Sequence, residues 1–282
     1  MVWEREVVGE QVVQIKLFRM RYFLLILVLF SNILYSQSDT LKSEYEVIYR
    51  ITSFNDTLYK HNAVEENLSL LIKGNKSLFR SAQKAKSDSI AMAIGMKAAN
   101  NPINGKVILN MKDVPGVYFK SEVFLDNGKQ TIYKEVMRNR LSFPLEDPIL
   151  WKIEPETKMI ESYLCKKATG KYKNRHYTAW FTETIPIPDG PYVFKGLPGL
   201  VLEIYDPNDY IHFTLVSFKK VVKPIVLMKD VFPTKYSTFY KVRQNMRDNA
   251  AGMLSNQTGI TFKPSDVKRI NDNAKKNNNY LD

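Results

Sequence analysis

Histidine occurs only at positions 61, 176 and 212 of this 282-residue sequence, and no two of them sit at the short spacing of a metal clip. His176 and His212 fall in segments that read as neighbouring strands, with Asp206 and Asp209 close by in sequence. A mixed histidine and carboxylate site, metal-bound or acting as a general base in hydrolysis, is the catalytic arrangement these residue types allow. Nucleophiles are poorly supplied. No Gly-x-Ser-x-Gly elbow occurs. Cys165 lies between Leu164 and Lys166 on an expected strand, where a buried and inert thiol outweighs a reactive one. Glu154, Glu156 and Glu161 follow one another too loosely to define an acid and base pair, and a solvated edge explains them. A glycine-rich run near residue 196 lacks the Gly-Lys-Ser/Thr that opens a helix in a phosphate-binding loop, and a strand follows it. No cofactor is expected.

Binding residues are better supplied. Trp151, Tyr163, Tyr177, Trp180, Phe181, Tyr192 and Phe194 gather aromatic surface into one stretch, and aromatic-lined concavities suit lipids, peptides or glycans. A packed aromatic core is the competing reading, because the strands that carry these residues alternate as core strands do. Pro186, Pro188, Pro191 and Pro198 each fix φ and remove a donor, which confines their segment to a sheet edge or a structured loop. The candidate binding positions are Trp180, Tyr192, Phe194, Gly196, Leu197, Pro198 and Gly199, since rigid loops on a β scaffold often carry binding. The alternative is a loop whose prolines and glycines only set its geometry.

These side chains need strands to hold them. Tyr45, Val47, Tyr49 and Ile51 alternate with Glu46, Ile48 and Arg50 in the period-two pattern of a half-buried strand. Residues 68–73 and 77–81 flank Gly74-Asn75 and predict a hairpin; 117–124 and 130–136 predict another across Asp126-Asn127-Gly128. Between them, residues 82–100 have helical composition. Strands follow over 134–153, broken by Pro144 and Pro148, then over 163–168 and 175–182 with a join near Gly170. Residues 200–205 and 211–218 are two more. Residues 234–254 read as a helix with Phe239, Val242, Met246 and Met253 as its apolar members, and 271–282 as a polar disordered tail.

The run Ile185-Pro-Ile-Pro-Asp-Gly-Pro-Tyr-Val-Phe-Lys-Gly-Leu-Pro-Gly-Leu-Val-Leu-Glu-Ile-Tyr-Asp206 closely resembles the GLPGLI family, whose name is the hexapeptide matched by Gly196 to Val201 with Val in the last place. The resemblance extends upstream through Cys165, Ala168, Arg175, Tyr177, Ala179 and Trp180. It implies an exported cell-envelope protein of Bacteroidetes-type bacteria, of unknown biochemical function, and carries no catalytic residues with it.

Arg19 and Arg21, the apolar run from Tyr22 to Leu34 and the polar exit at Ser36-Gln37-Ser38 have the three parts of a secretory signal peptide. The run is too short to span a bilayer, which needs roughly 20 apolar residues. The expected organisation is a mis-assigned extension over 1–19, the signal peptide over 20–37, one β-rich domain over 38–270 and the tail over 271–282. Cleavage leaves 37 basic against 26 acidic residues, a net charge of +11. Such a balance favours anionic neighbours through long-range attraction. With a single cysteine, the exported chain must be stabilised by its core rather than by a disulfide.

The fold expected is mainly β: an antiparallel, strongly curved open sheet or partial barrel with one or two packed helices. Three functions stay open. One is a non-catalytic envelope factor, periplasmic or extracellular, that binds an apolar or amphipathic lipid, a peptide or an outer-membrane protein, with no nucleic acid and no membrane span. The others are a hydrolase built on His176, His212 and Asp206, and a scaffold.

Overall fold

A computed structural model describes residues 40–58, 63–137 and 139–282. The expected extension and signal peptide, and His61, lie outside the described residues. Residues 42–282 form one compact unit. Its sheet has twelve strands: β1 (Tyr45–Phe54), β2 (Ala63–Lys73), β3 (Lys76–Ser81), β4 (Ser121–Asp126), β5 (Lys129–Val136), β6 (Asn139–Pro144), β7 (Lys152–Ile160), β8 (Tyr163–Tyr172), β9 (Arg175–Thr182), β10 (Leu200–Tyr205), β11 (Ile211–Lys220) and the two-residue β12 (Phe232–Pro233). The spatial order is β12-β6-β5-β4-β3-β2-β1-β11-β10-β9-β8-β7, an open sheet, antiparallel except where β12 meets β6. Two meanders therefore flank β1, which pairs with β2 on one side and β11 on the other.

The alternation read in β1 sets the inner face. Val47, Tyr49 and Ile51 are buried while Arg50 points to solvent. The turns follow their chemistry: Asn127 and Gly128 both have positive φ, as a two-residue hairpin matched to strand twist requires. Residues 117–120, expected to extend β4, are not strand. The buried Glu66 carboxylate accepts the main-chain N–H groups of Tyr118 (3.0 Å) and Phe119 (2.7 Å), which replace ladder bonds.

The β8–β9 turn falls at Lys173-Asn174 rather than at Gly170, which pairs with Tyr177 inside the ladder. Gly170 answers a packing demand instead: a Cβ there would lie 2.7 Å from both Ile149 and Trp151.

Among the described residues, four helices accompany the sheet: α1 (Lys84–Asn100), α2 (Tyr236–Asp248), α3 (Ala250–Thr258) and α4 (Pro264–Lys276). The single helix expected over 234–254 is broken at Asn249, which ends α2 and caps α3 by accepting from Gly252 N–H at 3.2 Å. Phe239 of α2 stacks on Phe143 of β6, with ring centroids 5.0 Å apart. The tail read as disordered is helical to Lys276, and its remainder is tied down. Asn278 and Asn279 bond to the main chain of Phe54, Asn55 and Tyr210, and Leu281 rests on the core. Composition hid this, because an asparagine that caps a neighbour's backbone and one in a solvated tail are the same letter.

Candidate functional site

The proline-rich segment is a structured loop, but an interior one. Residues 183–199 connect β9 to β10 and fold across the inner face, where Tyr192, Phe194 and Leu197 are fully buried and Gly199 nearly so, while Trp180 of β9 is buried on the opposite face against Lys158 and Tyr205. Of the seven candidate binding positions only Gly196 and Pro198 reach solvent. The loop's rings join an aromatic network rather than an open concavity: Phe194 meets Tyr177 (4.5 Å) and Phe213 (6.1 Å), and Tyr192 meets Phe119 (5.9 Å) edge-on.

With four prolines and no ladder, the loop makes its own bonds. Ile187 N–H reaches Ile185 carbonyl and Asp189 N–H reaches Ile187 carbonyl, two successive γ-turns. Asp189 and Lys195 form an ion pair beneath the turn, each almost completely buried, and Lys195 also donates to Gly190 carbonyl at 3.1 Å. Tyr49 of β1 donates to Val201 carbonyl at 2.7 Å, and burial raises its hydroxyl pKa well above the ordinary value. Gly199 admits no side chain, since a Cβ would lie 2.1 Å from Thr182 carbonyl oxygen.

The inner face beside this loop is not filled. A cavity of about 470 Å³ lies between the sheet, α2 and residues 277–282, with Ile51, Val117, Phe119, Ile211 and Phe239 among its apolar walls. Lys134 and Arg243 bring charge into it, each 8% exposed. Lys134 Nζ donates to Ser121 Oγ at 2.8 Å and to Asp282 Oδ1 at 3.0 Å, and stands 5.0 Å from the Tyr192 ring centroid. Burial lowers the Lys134 pKa, with Asp282 opposing the shift. Arg243 contacts the same carboxylate oxygen through Nη1 at 3.5 Å and lies over the Tyr280 ring at 4.5 Å.

Lys134 and Arg243 are the site residues that sequence reasoning missed. A signal existed for the lysine: Ile132, Lys134 and Val136 share the inward face of β5, so the strand carries a cation at a core position. The arginine's signal is weaker, a charge one turn beyond Phe239 on the buried side of α2. Asp282 sat in the segment read as tail.

The expected hydrolytic set is not assembled. Asp206 is buried and accepts from the N–H groups of Tyr210 (2.7 Å) and Ile211 (3.0 Å), closing the β10–β11 turn, with Arg175 at 3.6 Å. His176 is exposed on β9. His212 contacts Glu203 Oε1 through Nε2 at 3.0 Å and Asp209 Oδ1 through Nδ1 at 2.8 Å. Lys158 pairs with Glu203 and lies 4.5 Å above the Trp180 ring. Among the described residues, no group of three or more His, Cys, Asp or Glu side chains is placed to hold a metal ion.

Against known proteins, a family described as "Protein of unknown function (Porph_ging)" matches residues 169–203, the stretch from the end of β8 through the loop into β10. No curated protein matches the chain. Two solved structures of PNGF-II resemble its fold. The one in the P21 space group has 16% identity and a TM-score of 0.48 over 73% of this chain and 34% of that one. The one in C2 has 17% identity and a TM-score of 0.47 over 72% and 33%. The chain thus spans about a third of the length of each.

Proposed function

We propose that this chain is an exported, non-catalytic binding domain of the bacterial cell envelope, periplasmic or extracellular, which holds a small apolar or amphipathic ligand in the cavity on its inner sheet face. The observation that carries this reading is the cavity itself: about 470 Å³, with Ile51, Val117, Phe119, Ile211 and Phe239 as apolar wall and Lys134, Glu135, Arg243 and Asp282 bringing charge to it. That is the usual size of a small-molecule site, and the mixed lining suits an amphipathic ligand. Export is supported by the basic, apolar and small-residue parts of residues 19–38, and envelope membership by the GLPGLI-like segment. No described helix is long and apolar enough to cross a membrane. Of the seven candidate positions, Tyr192 comes nearest the site, its ring centroid 5.0 Å from Lys134 Nζ.

Nile red, a neutral apolar dye, tests the cavity in the full chain. Its fluorescence is expected to rise on saturable binding, and Val117→Trp, which fills the half-buried wall, is expected to abolish that rise. Equal binding by wild type and the filled variant would remove the reading.

A protein partner in the outer membrane is a second reading, favoured by one observation. Met92 and Met96, a turn apart on α1, and Ile103 and Ile108 beyond it are more than half exposed. Methionine-rich exposed surface suits adaptable protein contacts. Met92→Glu with Met96→Glu should leave folding unchanged and abolish co-purification of a specific envelope protein; retention of that protein would remove this reading.

A further inference from the structure

We infer that residues 103–112, the tip of the long excursion between β3 and β4, dock on a lipid bilayer whose head groups are anionic. This surface is separate from the cavity, so either can hold without the other.

β3 and β4 are adjacent and antiparallel, a pairing that a tight turn can join. The connection runs instead over residues 82–120, and connections of such length are uncommon unless they serve a function. The excursion is held at its base. Lys84 of α1 is buried and pairs with Glu135 at 3.1 Å, and Ser87 Oγ donates to Pro115 carbonyl at 2.9 Å. Beyond that base, every residue from 99 to 113 is exposed. Ile103, Val107, Ile108, Leu109 and Met111 each keep between 44% and 60% of their surface in water. A contiguous apolar surface of this kind marks an interaction site.

Geometry and charge select the occupant. Residues 107–111 lie outside any helix, strand or turn. Neighbouring side chains of an extended chain point to opposite sides, so Val107, Ile108 and Leu109 cannot all enter one groove. A fluid apolar layer receives both sides at once. Pairing with a second copy is opposed by charge, because an antiparallel ladder centred on Leu109 sets Lys106 of one copy opposite Lys112 of the other. The excursion as a whole carries six lysines against two aspartates, and Lys86, Lys97, Lys106 and Lys112 are exposed. Lysines flanking an apolar run reach back to anionic head groups while the run enters the interface. The main chain of the tip lies outside the sheet ladder, so it sits at head-group depth, where water still reaches its N–H and C=O groups. Ile103 and Ile108 also belong to the surface offered above to an outer-membrane protein, and the experiment separates the two occupants.

Asn110→Cys, labelled with an environment-sensitive nitrobenzoxadiazole dye, places a reporter among these side chains without removing one of them. Cys165 is buried and stays unlabelled. The emission reads this segment alone, whatever the apolar run at 22–34 does. With the full chain, vesicles of equal phosphatidylglycerol and phosphatidylcholine should shift the emission to the blue on saturable binding. Pure phosphatidylcholine vesicles should bind about tenfold more weakly or worse, and Lys106→Gln with Lys112→Gln should weaken binding to the anionic vesicles by a similar factor. Val107→Ser with Ile108→Ser should leave the label in water. The replaced side chains are exposed, so the urea midpoint of each variant should match that of the labelled parent. A label that stays in water on both kinds of vesicle overturns the inference and leaves the segment to a protein partner. Equal affinity for neutral vesicles overturns the choice of an anionic surface. Unweakened binding by either double variant overturns the part assigned to those side chains.

Discussion

Lys134 Nζ and Asp282 Oδ1 stand 3.0 Å apart across 148 residues of chain, both side chains nearly removed from water. The pair ties β5, the third strand from the β12 edge, to the segment after α4. Arg243 shares the Asp282 carboxylate at 3.5 Å, so Lys134→Met removes one of that carboxylate's two cations and should cost about 1–3 kcal/mol in urea denaturation. The double variant Lys134→Met with Asp282→Leu should cost more than Lys134→Met alone, because it leaves Arg243 buried without that carboxylate, but less than the sum of the two single losses. Additive losses would mean the two side chains are not coupled in solution.

Gly196 and Gly199 make different demands on the backbone. Gly196 has φ of 90° with open space where a Cβ would go, so Gly196→Ala meets only left-handed backbone strain, roughly 1–2 kcal/mol. At Gly199 a Cβ would collide with Thr182 carbonyl at 2.1 Å, and the β9–β10 connection would have to move. Gly199→Ala should cost more than ~3 kcal/mol, in the range kept for backbone strain and overpacking. Equal losses, measured by thermal or urea unfolding, would contradict the close approach.

The same contrast marks how far the sequence could be read. Period-two alternation in β1 and the Asn127-Gly128 turn are local signals, and both appear in the fold where they were expected. Which face of the 183–199 loop meets solvent is not local. Proline and glycine announce a rigid turn, but burial of Tyr192 and Phe194 depends on Phe119 and on Phe213 of β11 reaching them from other parts of the sequence. The cation site is hidden for the same reason, since its members come from β5, α2 and the segment after α4.

Cys165 offers a probe of the whole β8 ladder. The thiol is fully buried, and burial raises its pKa to about 11, with Lys158 opposing weakly. A thiol so placed has almost no thiolate at neutral pH. Reaction with a disulfide reagent should be negligible in the native protein and should rise with urea in step with unfolding. Labelling that is rapid in water would show the β7–β8 edge opening on its own.

His212 makes stability depend on pH in a definite direction. Each of its ring nitrogens faces a carboxylate, Glu203 at 3.0 Å and Asp209 at 2.8 Å, so both nitrogens can donate only when the ring is protonated. The hydrogen bond to Glu203 raises the His212 pKa most, and partial burial opposes it. A histidine whose folded pKa exceeds its unfolded value near 6.5 contributes stability that is complete below that value and fades as pH climbs through the folded pKa. Lys158, Trp180 and Tyr205 complete the surroundings, so His212 is the imidazole of this cluster. Urea midpoints taken from about pH 6 to pH 9 should fall for wild type, and His212→Asn, which keeps one donor but cannot titrate there, should remove that component of the slope. The same slope in both proteins would place the titrating group elsewhere and leave the imidazole neutral between its two carboxylates.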